Sequence, residues 1–122
     1  MDSAVFDTNV LIYYANGRPD SRIAFRRVIN RYISLTTWIE FLVGVSAEQR
    51  LSYESFLKDN FEIIETDFEI ADFIIDIRRS HKLKLPDATI YATAKHLRAP
   101  LVTYNTKDFD PSWPDVYVPG EE

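Results

Sequence analysis

Four carboxylates stand where apolar runs give way to polar ones: Asp7 in "AVFDTNVLIYY", Glu40 in "LTTWIEFLVG", Asp87 in "LPDATIYATAKHL" and Asp108 in "YNTKDF". Carboxylates gathered into one cleft repel, and the cost is greatest where the dielectric is low. A divalent cation removes that conflict. With no cysteine and only 2 histidines in the chain, a hard oxygen donor set points to Mg²⁺ or Mn²⁺ rather than zinc. Mg²⁺ keeps several waters and takes few carboxylates plus a substrate phosphate. Such an ion activates water and neutralises charge building on a phosphoryl group. The chemistry suggested is metal-assisted phosphodiester hydrolysis.

That chemistry requires elements that carry all four acids to one place. "SAVF" (3–6) reads as a strand and "TNVLIYYAN" (8–16) as a short helix. "SRIAFRRVINRY" (21–32) has helical spacing opened by Ser21, and "RYISLT" (31–36) reads as a second strand. "TWIEFLVGV" (37–45) and "AEQRLSYESFLKDN" (47–60) read as helices, and "FEIIE" (61–65) as a strand. "DFEIADFIIDIRRSHKL" (67–83) is a long helix with Asp67 as its cap. Pro86 opens "PDATIYATAKHLR" (86–98) at a first-turn position. "PLVTY" (100–104) and "VYV" (116–118) complete the strands. Strands alternating with helices predict an α/β fold with a mainly parallel sheet flanked by helices. In such a sheet, strand carboxyl ends and helix amino ends share an edge, where ligands bind. Asp7, Glu40, Asp87 and Asp108 all map to that edge.

Taken singly, each acid has a plainer role. Asp7 suits a helix cap. Thr37-x-x-Glu40 matches a capping box. Asp87 complements a helix dipole, and Asp108 suits a turn. Yet Trp38, Ile39, Phe41, Leu42 and Val43 surround Glu40 with apolar residues. A helix apolar all round is buried, and a buried carboxylate needs a partner. A shared edge explains the four together better than four separate roles.

Composition bounds the rest. The 122 residues fit one domain, 1–122, and 46% apolar with 14% aromatic residues supply a core. The aromatics Tyr13, Tyr14, Trp38, Phe41, Phe56 and Trp113 are read as core, although they could also feed an interface. No signal peptide or membrane-spanning apolar run is visible. Together with the absence of cysteine, this leads us to expect a cytoplasmic protein. The net charge of −5 excludes nucleic-acid binding by bulk charge, so a phosphate chain requires a local basic patch or a metal.

The quoted stretches, with "LPDATIYATAKHLRAPLVTYNTKDF", resemble the PIN-domain nucleases in order and spacing, most closely the VapC-like toxin ribonucleases of toxin–antitoxin pairs. The resemblance runs from about Ser3 to Val118. It implies a three-layer PIN-like fold, an acidic Mg²⁺ or Mn²⁺ site that cuts RNA, a homodimer and a small antitoxin that blocks the site. Asp7, Glu40 and Asp87 match the first three acidic positions. Many members carry Asp where this chain has Asn105, while others have Asn there and an acid three residues on, as at Asp108. Thr8, Asn9 and Thr103 match small polar positions around the site.

Two features stand apart from the acids. "RRSHKLK" (78–84) carries Arg78, Arg79, Lys82 and Lys84. These complement the end of the long helix or contact RNA phosphates. His81 and His96 suggest no nucleophile–histidine arrangement. Two rival functions remain. Asp7-x-Asn9 is similar to the first motif of haloacid-dehalogenase-type phosphatases, but Asn9 replaces the general acid and the chain is short for that family. A covalent acyl-phosphate would mark that chemistry. A PIN-like module that binds RNA or protein without cutting is the other rival. Asn105 speaks for it, and the retained Asp7, Glu40 and Asp87 speak against it.

Overall fold

A computed structural model describes residues 1–120. The elements run β1 (Ser3–Phe6), α1 (Thr8–Ala15), α2 (Pro19–Arg27), β2 (Asn30–Ser34), α3 (Leu35–Val43), α4 (Arg50–Asn60), β3 (Glu62–Ile64), α5 (Phe68–Ser80), α6 (Leu85–Leu97), β4 (Leu101–Val102) and β5 (Val116–Tyr117). The strands form one sheet in the order β3-β2-β1-β4-β5, and each neighbouring pair is parallel. β1 is central. Val5 lies opposite Tyr32 on one side and Leu101 on the other.

Two cores flank the sheet, because successive strand side chains face opposite ways. Ala4 and Phe6 pack with Val10, Leu11, Ala24, Phe41 and Leu57 from α1–α4. Val5 and Leu101 pack with Ile70, Ile74, Ile77 and Ile90 from α5 and α6. This is the expected three-layer α/β arrangement. Ala4, Val5 and Phe6 of β1 and Leu101 and Val102 of β4 are all apolar because both faces of these strands are covered. α6 is buried over seven consecutive residues, Ala88 to Ala94. Its small residues, Ala88, Ala92 and Ala94, let it lie close to the sheet. Asp67 caps α5 as expected, accepting from the Ile70 amide at 2.9 Å.

Three sequence expectations fail locally. α2 begins at Pro19 and stops at Arg27, so Ser21 is not its cap. Proline suits the first turn, and β-branched Val28 and Ile29 turn the chain into β2. Ser21 is instead buried, with its hydroxyl 2.6 Å from the Tyr104 hydroxyl. α3 begins two residues early at Leu35, capped by Ser34, whose Oγ accepts from the Thr37 amide at 3.1 Å. The Thr37-x-x-Glu40 capping box is therefore not formed, and Glu40 sits in the second helical turn. Nor is α3 buried all round. Ile39 is 53% and Val43 80% exposed, and Glu40 is exposed with them. Of the aromatics, Phe41 is buried, Tyr14, Trp38, Phe56 and Trp113 are half-buried, and Tyr13 is exposed. Among the described residues no helix is long and apolar enough to cross a membrane.

Candidate functional site

Asp7 occupies the position between β1 and α1, with extended backbone and one oxygen capping the helix. Its Oδ1 accepts from the Thr8 amide at 2.7 Å, and its Oδ2 accepts from Thr103 Oγ1 at 2.7 Å. Thr103 follows β4, the neighbour of β1, so the parallel pairing alone brings these residues together across 96 positions. The Asp7 side chain is almost closed off, with the residue only 4% exposed. Burial pushes its carboxyl up from 3.8 to about 6, against the pull of the two hydrogen bonds, and the charges of Asp87 and Glu40 push the same way.

From Asp7 a hydrogen-bonded chain runs in both directions. Thr8 Oγ1 lies 2.7 Å from Glu40 Oε1 and 3.1 Å from Thr37 Oγ1. A hydroxyl has one proton, so Thr8 donates to the carboxylate and Thr37 donates to Thr8. On the other side, Thr103 Oγ1 accepts from the Asn105 amide at 2.9 Å. Asn105 Nδ2 donates to Asp108 Oδ2 at 3.0 Å, and Asn105 Oδ1 accepts from the Asp108 amide at 3.2 Å. Asn9 Oδ1 accepts from the Tyr104 amide at 3.3 Å, which ties the first turn of α1 to the chain after β4.

Asp87 stands in the first turn of α6, after Pro86. It makes no link in this chain but feels it electrostatically. Its carboxyl is raised by burial and by the charges of Asp108 and Glu40, and Lys84 partly offsets them. Asp87 is thus coupled to the other three acids, and Glu40 also to Asp7. The four do not close into a ready-made cage, because among the described residues no three acidic or histidine side chains converge on one point. An ion held by these residues would keep most of its water and take one or two carboxylates directly. The oxygen-only donors fit Mg²⁺ or Mn²⁺ and exclude a soft-ligand zinc site.

The relay itself is not legible in the motifs. Nothing in them marks Thr8 as the partner of Glu40, and Thr37 reads as a cap. The family resemblance places Thr8 and Thr103 around the site, but it does not pair them with Glu40 and Asp7.

A family model described as PIN domain matches residues 4–110. The chain belongs to the PIN-domain family. Among solved structures, a chain of a toxin–antitoxin complex from Klebsiella pneumoniae is 39% identical, with a TM-score of 0.84 over 93% of this chain and 95% of that one. A VapBC2 complex from Rickettsia felis, bound to a DNA fragment from its promoter, is similar at 24% identity and a TM-score of 0.75, covering 95% and 96%. A DNA-bound VapBC from Salmonella typhimurium is similar at 22% identity and 0.78, covering 97% of both. The last two show the fold alone. No curated protein matches by sequence. Within this PIN domain, β1, β4, α1, α3 and α6 position the candidate residues.

Proposed function

We propose that this PIN domain is a Mg²⁺- or Mn²⁺-dependent endoribonuclease, and that it is the VapC-type toxin of a toxin–antitoxin pair. The observation that carries the reading is Asp7, a buried carboxylate held at the sheet edge by Thr8 and Thr103 with Glu40 and Asp87 near enough to raise it. A carboxylate kept against its own ionisation is poorly explained by capping one helix. Perturbed acids in a cleft mark functional sites.

Asp7 and Asp87 would hold the ion most directly, with Glu40 and Asp108 beside them. A divalent ion there supplies activated water and charge neutralisation for phosphodiester hydrolysis. The protein's own part is positional. Thr103 and Thr8 fix both oxygens of Asp7, Thr8 fixes Glu40, and Asn105 fixes Asp108. The 39% identical Klebsiella relative, part of a toxin–antitoxin complex, supports a small antitoxin as partner. Exposed Ile12, Ile39 and Val43 on α1 and α3 supply apolar surface for such a partner or for a homodimer. A groove of about 420 Å³ between Ile12, Glu40, Phe41 and Tyr53 adjoins it. The cytoplasm is the compartment this reading requires.

The test is cleavage of labelled RNA by purified protein in Mg²⁺ or Mn²⁺, with and without chelator, beside Asp7→Ala. Cleavage that needs the metal and disappears in the variant is expected. Tight RNA or antitoxin binding without any cleavage would instead establish a non-cutting module.

A further inference from the structure

The basic stretch 78–84 is not used by the carboxylate relay, yet it leads directly into Asp87. One of its cations is structural, since Arg78 Nε donates to the Leu83 carbonyl at 3.3 Å and holds the turn between α5 and α6. Arg79, Lys82 and Lys84 are exposed. Lys84 precedes α6 and is close enough to Asp87 to favour its charged form.

The same turn carries an aromatic surface. His81 is exposed, and its ring centre lies 4.9 Å from that of Trp113 at 41°. Trp113 in turn stacks on Tyr91 at 5.5 Å and 10°. Tyr91 stands one helical turn beyond Asp87, and its ring meets that of Phe109, the neighbour of Asp108, at 5.5 Å. Lys95 Nζ lies 4.8 Å from the centre of the Tyr91 ring. A cleft of about 380 Å³ opens between His81, Tyr91, Lys95, Trp113 and Asp115. Asp115 pairs with Lys95 Nζ at 2.7 Å and accepts from the Tyr91 hydroxyl at 2.8 Å, so Lys95 is already neutralised and adds no free cation.

A chain of net charge −5 does not attract a polyanion as a whole. It can do so locally. Exposed cations beside the exposed His81 ring, backed by half-buried Trp113 and buried Tyr91, are what an unpaired strand needs, with phosphates on the lysines and a base on the outer ring. A duplex keeps its bases stacked on each other and offers no such face.

We propose that the 78–84 turn and the His81–Trp113–Tyr91 stack form a track for unpaired RNA running from Asp87, with Lys84 and Lys82 on its phosphates and His81 with Trp113 against a base. The proposal rests on the ribonuclease reading and adds where the strand lies outside the cleft.

Binding of a short unstructured RNA, fluorescein-labelled and followed by anisotropy in chelator, tests it without cleavage. In Lys82→Gln and in Lys84→Gln the log–log salt slope should become shallower by about 0.7, the value for one phosphate of a single strand that is no longer neutralised. His81→Ala should weaken binding by about 5- to 150-fold, the range for one stacked base. Lys58→Gln on α4 should change neither. In Trp38→Phe, which leaves Trp113 as the one tryptophan of the 2 in the chain, the RNA should quench the emission, and its duplex should bind more weakly. Unchanged affinity and slope in the three track variants, with no quenching, overturns the track while leaving the nuclease intact. Wild type that neither binds nor cuts RNA overturns the track and the ribonuclease reading together.

Discussion

Replacing Asp7 by Asn should make the metal-free protein more stable, and only at neutral pH. An ordinary aspartate titrates at 3.8 and Asp7 at about 6. Between those values the folded protein keeps a proton that the unfolded chain has released. Stability is therefore lost as pH rises through that window. At about 1.4 kcal/mol per tenfold change in proton affinity, the charged Asp7 costs about 3 kcal/mol at pH 7.5 and about 1 kcal/mol at pH 4.5. Asn removes this cost. It also places an amide where Oδ2 accepts from Thr103, which gives back about 1 kcal/mol for a disturbed hydrogen bond. The net gain is about 2 kcal/mol at pH 7.5 and about zero at pH 4.5, equivalent to a rise of about 6–10 °C in Tm at the higher pH for a domain of this size. Thermal melts of wild type and Asp7→Asn in chelator at both pH values give the comparison. Groups that titrate equally in both proteins cancel. A variant that melts lower than wild type at pH 7.5, or by the same margin at both pH values, would refute the picture of a carboxylate held against its own charge.

Four further outcomes follow from the same geometry. Mn²⁺ should raise the wild-type Tm, by about 2.7 kcal/mol of stabilisation at a hundredfold excess over Kd, and Asp87→Asn should lose much of that rise in the same melts. Thr103→Val leaves Asp7 Oδ2 and the Asn105 amide without their shared partner; it should cost about 1–3 kcal/mol in urea unfolding and abolish metal-dependent cleavage. Glu40→Gln keeps an acceptor for Thr8 and should unfold within about 0.5 kcal/mol of wild type, yet lose cleavage in the RNA assay. Asp67→Ala removes the α5 cap at a cost of about 1 kcal/mol and should leave specific cleavage activity unchanged.

Strand identity and the sheet edge are legible in the sequence because they rest on short-range signals. The short apolar runs Ala4–Phe6 and Tyr32–Ile33 mark β1 and β2, Asp67 marks the cap of α5, and Pro86 marks the first turn of α6. Asp7, Glu40, Asp87 and Asp108 fall on one edge because a parallel sheet leaves them no other arrangement. What is not legible depends on tertiary packing. Ser34, three residues before Thr37, takes the α3 cap, and Glu40 faces outward rather than into the core. Ser21 is spent on Tyr104, 83 positions away, a partner that no local pattern announces. The relay through Thr8 and Thr103 needs side-chain directions that spacing alone does not give.

The strand order carries a consequence for when this site can exist. β1 is made first, but it lies between β2 and β4, and Asp7 waits for Thr103. While the chain is being synthesised, α1, α2 and β2 can assemble around β1 with its other edge bare. The carboxylate then sits in water with no threonine across from it, and α6, which carries Asp87, has not yet been clamped by β4. Closing so long a loop is slow relative to local folding. A nascent or truncated chain ending before residue 103 therefore lacks the arrangement altogether, even where its helices have formed. On the proposed toxin reading, chain order alone delays the active geometry until the segment that carries Thr103 has been made.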